Sequence, residues 1–134
     1  MRVTADTNVY TSALNYNGPP RAFLRLAADG DIRLAFSNDI LEEIVETLRR
    51  KFRWPEDSVF EARETLLTIT EPVVPAMILD VVKDDPDDNR ILECAQSAHS
   101  EYIVTGDGDL LRLRRYDSMP VITVAEFLKL FEGA

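Results

Sequence analysis

Short apolar runs of four or five residues alternate along the chain with longer stretches in which apolar residues recur every three or four positions. Short continuous runs are typical of strands buried on both faces, and the longer period is typical of amphipathic helices. The alternation predicts a three-layer α/β/α sandwich with a central parallel sheet of four to five strands and right-handed crossovers. The predicted strands are residues 2–5, 32–36, 71–75, 102–105 and 120–123. The predicted helices are residues 21–28, 39–52, 55–67, 84–98, 107–113 and 124–132.

The length and composition are those of one globular domain, which we assign to residues 1–134. No apolar run approaches about 20 residues and no signal peptide precedes the first strand, so we expect a cytoplasmic protein. Cys94 is the single cysteine, which excludes an internal disulfide and favours a buried structural thiol. The net charge of −9 argues against a general nucleic-acid binder, but the arrangement of the 24 acidic residues matters more than their sum.

Carboxylates follow two of the predicted strands directly. Asp6 comes after the first strand, and Asp107 and Asp109 come after the strand "YIVT". Parallel strands end at the same edge of a sheet, so these side chains are expected to lie near one another. Each aspartate taken alone is also a normal N-cap for the helix that follows it, and the sequence leaves both roles open.

The helix in "SNDILEEIVETLRRKF" supplies a third candidate acid. Glu42 and Glu43 flank its apolar stripe about equally, on opposite sides, so the helical wheel does not choose between them. Glu42 lies three residues after Asp39 and could complete a capping box. That structural role leaves Glu43 as the better candidate for a functional site.

The segment "DDPDDNRIL" supplies the fourth. Asp85 is a plausible N-cap with Pro86 at the first helical position. Asp88 shares a helix face with Ile91 and Leu92, so it is expected on the side that packs against the sheet. An acid at that position points toward the crevice at the strand ends rather than into bulk water.

Four acids gathered in one place repel one another unless a cation neutralises them. Ligands that are all oxygen atoms favour Mg²⁺ or Mn²⁺ over zinc. His99 lies late on its helix near alanines, and we interpret it as structural or solvated rather than as a ligand.

Taken together, the segments "ADTNVYTSAL", "SNDILEEIVETLRRKF", "DDPDDNRILECA" and "YIVTGDGDLL" resemble PIN domains. These are metal-dependent ribonucleases, and the resemblance is strongest to the toxin components of bacterial and archaeal type II toxin–antitoxin pairs. The four segments occur in the family's order and span nearly the whole chain, although residues 53–67 carry no motif.

The resemblance implies an endoribonuclease that hydrolyses RNA phosphodiester bonds with Mg²⁺ or Mn²⁺. It also implies a cognate antitoxin partner and a homodimer. The implied catalytic and metal-binding acids are Asp6, Glu43, Asp88 and Asp107, with Asp109 as a further metal-binding neighbour. Asn8 and Thr105 match polar positions that are often near the metals in this family.

An RNA substrate also requires positive charge near the site. Two basic clusters are candidates for phosphate contacts, although cations also gather at helix C-termini for electrostatic reasons. These clusters are Arg49, Arg50, Lys51 and Arg53, and Arg112, Arg114 and Arg115. A structure-specific DNA nuclease with the same acids is the main alternative. A receiver-like Mg²⁺-binding signalling module is disfavoured, because Asp6 is followed by Thr7 and Asn8 and no lysine ends the last strand.

Overall fold

A computed structural model describes residues 1–132 of the chain. The strands are β1 (Arg2–Ala5), β2 (Arg33–Phe36), β3 (Thr70–Pro72), β4 (Tyr102–Val104), β5 (Arg115–Tyr116) and β6 (Met119–Ile122). The helices are α1 (Thr7–Asn15), α2 (Pro19–Ala28), α3 (Asn38–Arg50), α4 (Glu56–Ile69), α5 (Asp88–Ala98), α6 (Gly108–Leu111) and α7 (Val124–Glu132).

The strands form one sheet in the order β3-β2-β1-β4-β6-β5, and every pairing except β5 with β6 is parallel. The chain moves outward from β1 through β2 to β3, and then returns to the other side of β1 as β4. The strand order therefore reverses between β1 and β4. A crevice at the carboxyl ends of these two strands is the expected place for a site in such a fold.

Helices cover both faces of the sheet, which confirms the α/β/α architecture. α1 packs against α2 and α3, and α3 packs against α4, whereas α5 packs against β1 and β2. Right-handed crossovers put α5 on the face opposite to α1–α4, because the connection to β4 runs in the reverse direction along the sheet.

The core lies between these layers and explains why the strands are short and apolar. Val3, Leu34 and Ile103 from three adjacent strands are fully buried, and Ile40 and Ile44 from α3 pack into the same core. Each such side chain contributes about 1.5–3 kcal/mol by leaving water. Cys94 is also buried, and burial raises the pKa of its thiol to about 11, in keeping with a structural role.

Over residues 1–132 the sheet has six strands rather than the four to five expected. The additional strand, β5, has only two residues and pairs antiparallel with β6 through a turn at Asp117 and Ser118. Two residues are too few to show any periodicity, and the turn contains no glycine or proline to mark it.

Helix α1 was not predicted, because it buries polar residues. Thr7 and Thr11 are both buried within it, which interrupts the apolar stripe that marks an amphipathic helix. The Thr11 hydroxyl donates to the carbonyl of Asn8 at 3.3 Å, so its burial leaves no unpaired group.

Several boundaries also differ from the predicted ones. α5 begins at Asp88 instead of residue 84, since residues 86–87 form a turn ahead of the helix. β3 ends at Pro72 instead of residue 75, and the chain then leaves the sheet. Among residues 1–132, no helix has the length and apolar character that crossing a membrane requires.

Candidate metal centre

The two central strands bring Asp6 and Asp107 to the same edge of the sheet. β1 pairs with β4, and the N–H of Asp6 donates to the carbonyl of Val104 at 3.1 Å. The Thr105 hydroxyl, fully buried, donates to Oδ2 of Asp6 and accepts the N–H of Asp107 at 2.9 Å. Thr105 therefore joins the two strand ends and fixes the two aspartates relative to each other.

Both aspartates also cap the helices that follow them. Oδ1 of Asp6 accepts the N–H of Val9 at 3.2 Å, and Oδ2 of Asp107 accepts the N–H of Leu110 at 3.1 Å. The capping role and the placement at one edge, which the sequence left as alternatives, thus occur together. Each cap uses one carboxylate oxygen and orients the group without consuming all of its acceptor capacity.

The turn before α5 contributes two more acids. Asp88 is buried, whereas Asp85 is half-buried. One carboxylate oxygen from each of Asp85, Asp88 and Asp107 lies within 4.8 Å of the others. The Asp85 carboxylate accepts the N–H of Asp87 at 3.2 Å within the turn, but the prediction that Asp85 is the N-cap with Pro86 at the first helical position is wrong, because α5 begins at Asp88 and its N-cap is Asp87. The placement of Asp85 at the site was not predicted.

Helix α3 directs Glu43, not Glu42, to this edge. Its N-cap is Ser37, whose hydroxyl accepts the N–H of Ile40 at 3.3 Å, so the capping box predicted for Asp39 and Glu42 is wrong. Glu42 is exposed and accepts a hydrogen bond from Asn38 at 3.1 Å. Glu43 is half-buried and faces the carboxylates of the other elements.

These side chains line one cavity of about 40 Å³. A cavity of this size has room for about one water molecule or one cation. Its lining residues come from α1, α3, α5 and the segments that follow β1, β3 and β4. They are Asp6, Thr7, Asn8, Glu43, Asp85, Asp88, Ile91 and Asp107.

The cavity contains uncompensated negative charge. Burial is the main cause that raises the pKa of Asp88 to about 8, with further contributions from its contact with Asp107 and from the charges of Asp107, Asp85 and Asp6. Burial likewise raises the pKa of Asp6 and of Glu43 above their ordinary values. Without a counter-charge, the site holds a proton that a carboxylate in water would lose.

The donor set fits a hard divalent cation. Oδ2 of Asp88 is buried and has no hydrogen-bond partner among residues 1–132, and the same holds for the hydroxyl of Thr7 within that range. Both residues line the cavity, and every polar side-chain atom around it except the amide nitrogen of Asn8 is an oxygen. Oxygen ligands at close spacing are those that Mg²⁺ and Mn²⁺ prefer.

Asp109 and the predicted basic residues are not among the residues that line the cavity, and several of them are paired with each other or with other acids. Asp109 does not line the cavity, and its carboxylate forms an ion pair with Arg112. Arg49 is held by Glu56 at 2.8 Å, and Arg50 lies 3.4 Å from Glu46. His99 is exposed and is the C-cap of α5, where its backbone adopts a left-handed conformation. This is a structural position at a helix end.

Sequence reasoning missed Asp85 and Thr7 as cavity residues. Asp85 was explained completely by its role ahead of the helix, and only the three-dimensional path of the turn shows its second placement. Thr7 gave no signal because α1 was not predicted. The spacing of three residues between Asp85 and Asp88 was the one available hint, since helical turns bring such positions together.

The PIN domain family model matches residues 2–109, and the chain therefore belongs to the PIN domain family. Among solved structures, a chain of VapBC2 from Rickettsia felis, bound to a DNA fragment from their promoter, superposes with a TM-score of 0.64. The match covers 92% of this chain and 98% of that chain at 15% sequence identity, which shows a shared fold. No curated protein sequence matches the chain.

Proposed function

We propose that this PIN domain is a metal-dependent endoribonuclease that hydrolyses RNA phosphodiester bonds with Mg²⁺ or Mn²⁺. The observation that carries the proposal is the convergence of five carboxylates on a cavity in which a buried Asp88 oxygen has no hydrogen-bond partner among residues 1–132. Such a site is costly to build, and a bound divalent cation would offset that cost.

The position of each cavity residue indicates its role in binding a metal ion. Asp85, Asp88 and Asp107 are close enough to share one cation, and Thr105 holds Asp6 beside them. Glu43 approaches from the opposite helical layer, where it can hold a water or a second ion. A divalent ion bound here would lower the pKa of a water and stabilise charge on the phosphate.

RNA would approach the open side of the cavity, where Asn8 is exposed. Arg112 and Arg114 follow the short helix α6, which Asp107 caps, and we assign them phosphate contacts. Arg49, Arg50 and Lys51 end α3, about two turns beyond Glu43, and Arg49 and Arg50 are paired with acids. Arg112 is likewise paired, with Asp109, so the smaller part in RNA binding that we give this second cluster rests on its separation from Glu43 along α3.

The biological role we propose is that of a toxin in a toxin–antitoxin pair, acting on RNA in the cytoplasm as a homodimer. The fold shared with a chain of VapBC2 supports this role, since that assembly contains a partner protein and promoter DNA. A neighbouring open reading frame encoding a small DNA-binding protein would support a cognate antitoxin.

Asp6→Asn tests the catalytic assignment. The substitution keeps the size of the side chain and its capping oxygen but removes the negative charge, so we expect cleavage of RNA with Mg²⁺ or Mn²⁺ to be abolished while the fold is retained. Asp31→Asn, at an exposed position, is the matched control and should cleave like the parent.

Matched RNA and DNA substrates of the same sequence separate the proposal from its alternative. Cleavage of RNA alone supports a ribonuclease, whereas cleavage of branched DNA alone would identify a structure-specific DNA nuclease. If Asp6→Asn cut either substrate as fast as the parent, the site assignment would be wrong.

A further inference from the structure

The segment that leads from the sheet to the metal centre is held in an unusual way. Residues 73–82, which we call the α5 strap, form no helix or strand, and residues 76–82 run along α5. Its side chains alternate between half-buried and exposed positions as in a strand, and Val74 and Ile78 are about 90% exposed. The N–H of Val73 still donates to the carbonyl of Phe36 in β2 at 2.8 Å, but within residues 1–132 no strand pairs with residues 74–82, so their backbone groups must find other partners.

Side chains of α5 provide those partners. Ser97 accepts the N–H of Ala76 at 3.0 Å, and Glu93 accepts the N–H of Leu79 at 2.8 Å. Asn89 is the third member of this series, at the same spacing of four residues. Positions four apart lie on one face of a helix, so the strap is fastened at three points along a single face of α5.

Asn89 makes the tightest of the three attachments. Its Oδ1 accepts the N–H groups of Val81 at 2.9 Å and Val82 at 2.8 Å, and its Nδ2 donates to the carbonyl of Val82 at 2.9 Å. The residue is only 1% exposed. Its amide thereby forms bonds in both directions with the last residue of the strap.

The attachment closes a six-residue loop, residues 83–88, which carries two of the metal-site acids. Val82 and Asn89 form the base of the loop, and Asp85 and Asp88 lie within it. At the tip, the carbonyl of Asp85 accepts the N–H of Asp88 at 3.0 Å. The backbone of Asp85 is therefore restrained from both sides.

We propose that Asn89 is a positioning residue for the metal centre, which holds Asp85 within reach of a cation shared with Asp88 and Asp107. The inference rests on the proposed function in so far as a divalent ion must bind. Asn89 does not line the cavity, so it acts through the placement of Asp85 and not by touching the ion.

The test is Mn²⁺ binding by titration calorimetry on the full chain at pH 8, without RNA. We expect Asp85→Asn to weaken the affinity about 10- to 100-fold, and Asn89→Ser to weaken it about tenfold. Asp84→Asn makes the same change of charge one residue away at an exposed position, and it should leave the affinity unchanged. Glu93→Gln loosens the strap farther from the site and should change the affinity less than twofold.

A double variant distinguishes positioning from general damage to the fold. If Asn89 acts through Asp85, then Asn89→Ser causes no further loss of Mn²⁺ affinity in the Asp85→Asn background. Fully additive losses, or a folded Asn89→Ser protein that binds Mn²⁺ as the parent does, would overturn the proposal.

A second design covers the case in which Asn89→Ser does not fold. Two glycines inserted between Lys83 and Asp84 lengthen the loop while every Asn89 contact is kept, and the entropic cost of the longer loop is below about 0.5 kcal/mol. We expect Mn²⁺ affinity to fall as it does for Asp85→Asn, and unchanged affinity would contradict the positioning role. If the parent chain itself bound no Mn²⁺, the proposed function would fail as well. If the parent and the variant bound Mn²⁺ equally, only the positioning role of Asn89 would fail.

Discussion

Two adjacent glutamates face two very different regions of the molecule. Glu43 lines the acidic cavity of about 40 Å³, whereas Glu42 lines a groove of about 750 Å³ between α3 and α4. The groove is far larger, and its floor is apolar, but its acids are exposed and two of them are paired with arginines. Buried charge without a counter-charge, and not cavity volume, therefore marks the region that is suited to bind a metal ion.

Glu43→Gln and Glu42→Gln give the largest expected difference between these regions. Loss of the Glu43 charge should lower the kcat/KM for RNA at least about a hundredfold, which corresponds to about 2.7 kcal/mol of transition-state stabilisation. Glu42→Gln should stay within about twofold of the parent, because that side chain is exposed, accepts a hydrogen bond from Asn38 and does not line the acidic cavity. A reversed order would assign the catalytic role to Glu42.

Addition of a divalent metal should stabilise the protein by binding in the cavity and not in the groove. At about one hundred times the dissociation constant, bound Mn²⁺ adds about 2.7 kcal/mol, or roughly 10 °C in melting temperature. The carboxylates must be ionised to bind, and the pKa of Asp88 is about 8, so the effect should be small at pH 5 and full above pH 8. Thermal melts with Mn²⁺ or with EDTA at the two pH values measure it.

The site was more predictable than the details of the fold, for a physical reason. Asp6 and Asp107 follow buried strands, and Asp88 lies on the apolar face of its helix, so local sequence already favours the strand-end edge of the sheet for each of them. Asp85 was not predictable in the same way. Its position depends on Asn89 and on the path of the α5 strap, which are contacts between distant parts of the chain that no periodicity encodes.

The choice between Glu42 and Glu43 shows where sequence patterns stop. Both lie at the flank of the α3 stripe, and the helical wheel treats them alike. The structure separates them because the acids that follow β1 and β4, and those at the start of α5, lie on the side of α3 that Glu43 faces. β5 and α1 were missed for a different reason. Their local sequences carry too little hydrophobic periodicity to indicate a strand or a helix.

Asp88→Asn should make the metal-free protein more stable at high pH. The pKa of Asp88 is higher in the folded state than the ordinary value of 3.8, so its favourable contribution is complete below about pH 4 and is lost as the pH rises through about 8. Removing the group should therefore raise the free energy of unfolding at pH 8 by about 2 kcal/mol. This figure is smaller than the free energy that corresponds to the whole pKa shift of Asp88, because the cavity is open to solvent, which screens the charges.

Urea unfolding in EDTA at pH 4 and pH 8 measures this gain. The difference between Asp88→Asn and the parent should be near zero at pH 4 and largest at pH 8. An equal loss of stability at both pH values would mean that the Asp88 carboxylate is satisfied in the metal-free fold, contrary to the unpaired Oδ2 atom.

The smallest effect belongs to the groove. Arg49 and Glu56 form an ion pair in which both side chains are exposed, and such pairs contribute about 0.2–1 kcal/mol to the free energy of unfolding. Glu56→Gln should lower the free energy of unfolding by less than about 1 kcal/mol, and the difference should shrink in 1 M salt because exposed charges are screened. The same substitution frees Arg49, so an accompanying decrease in the KM for RNA would indicate that the α3 cluster reaches the substrate. An unchanged KM, together with an increased KM for Arg112→Gln, would place the phosphate contacts beside α6. That position is next to the cavity, whose acids have no counter-charge, whereas two acids of the groove are paired with arginines.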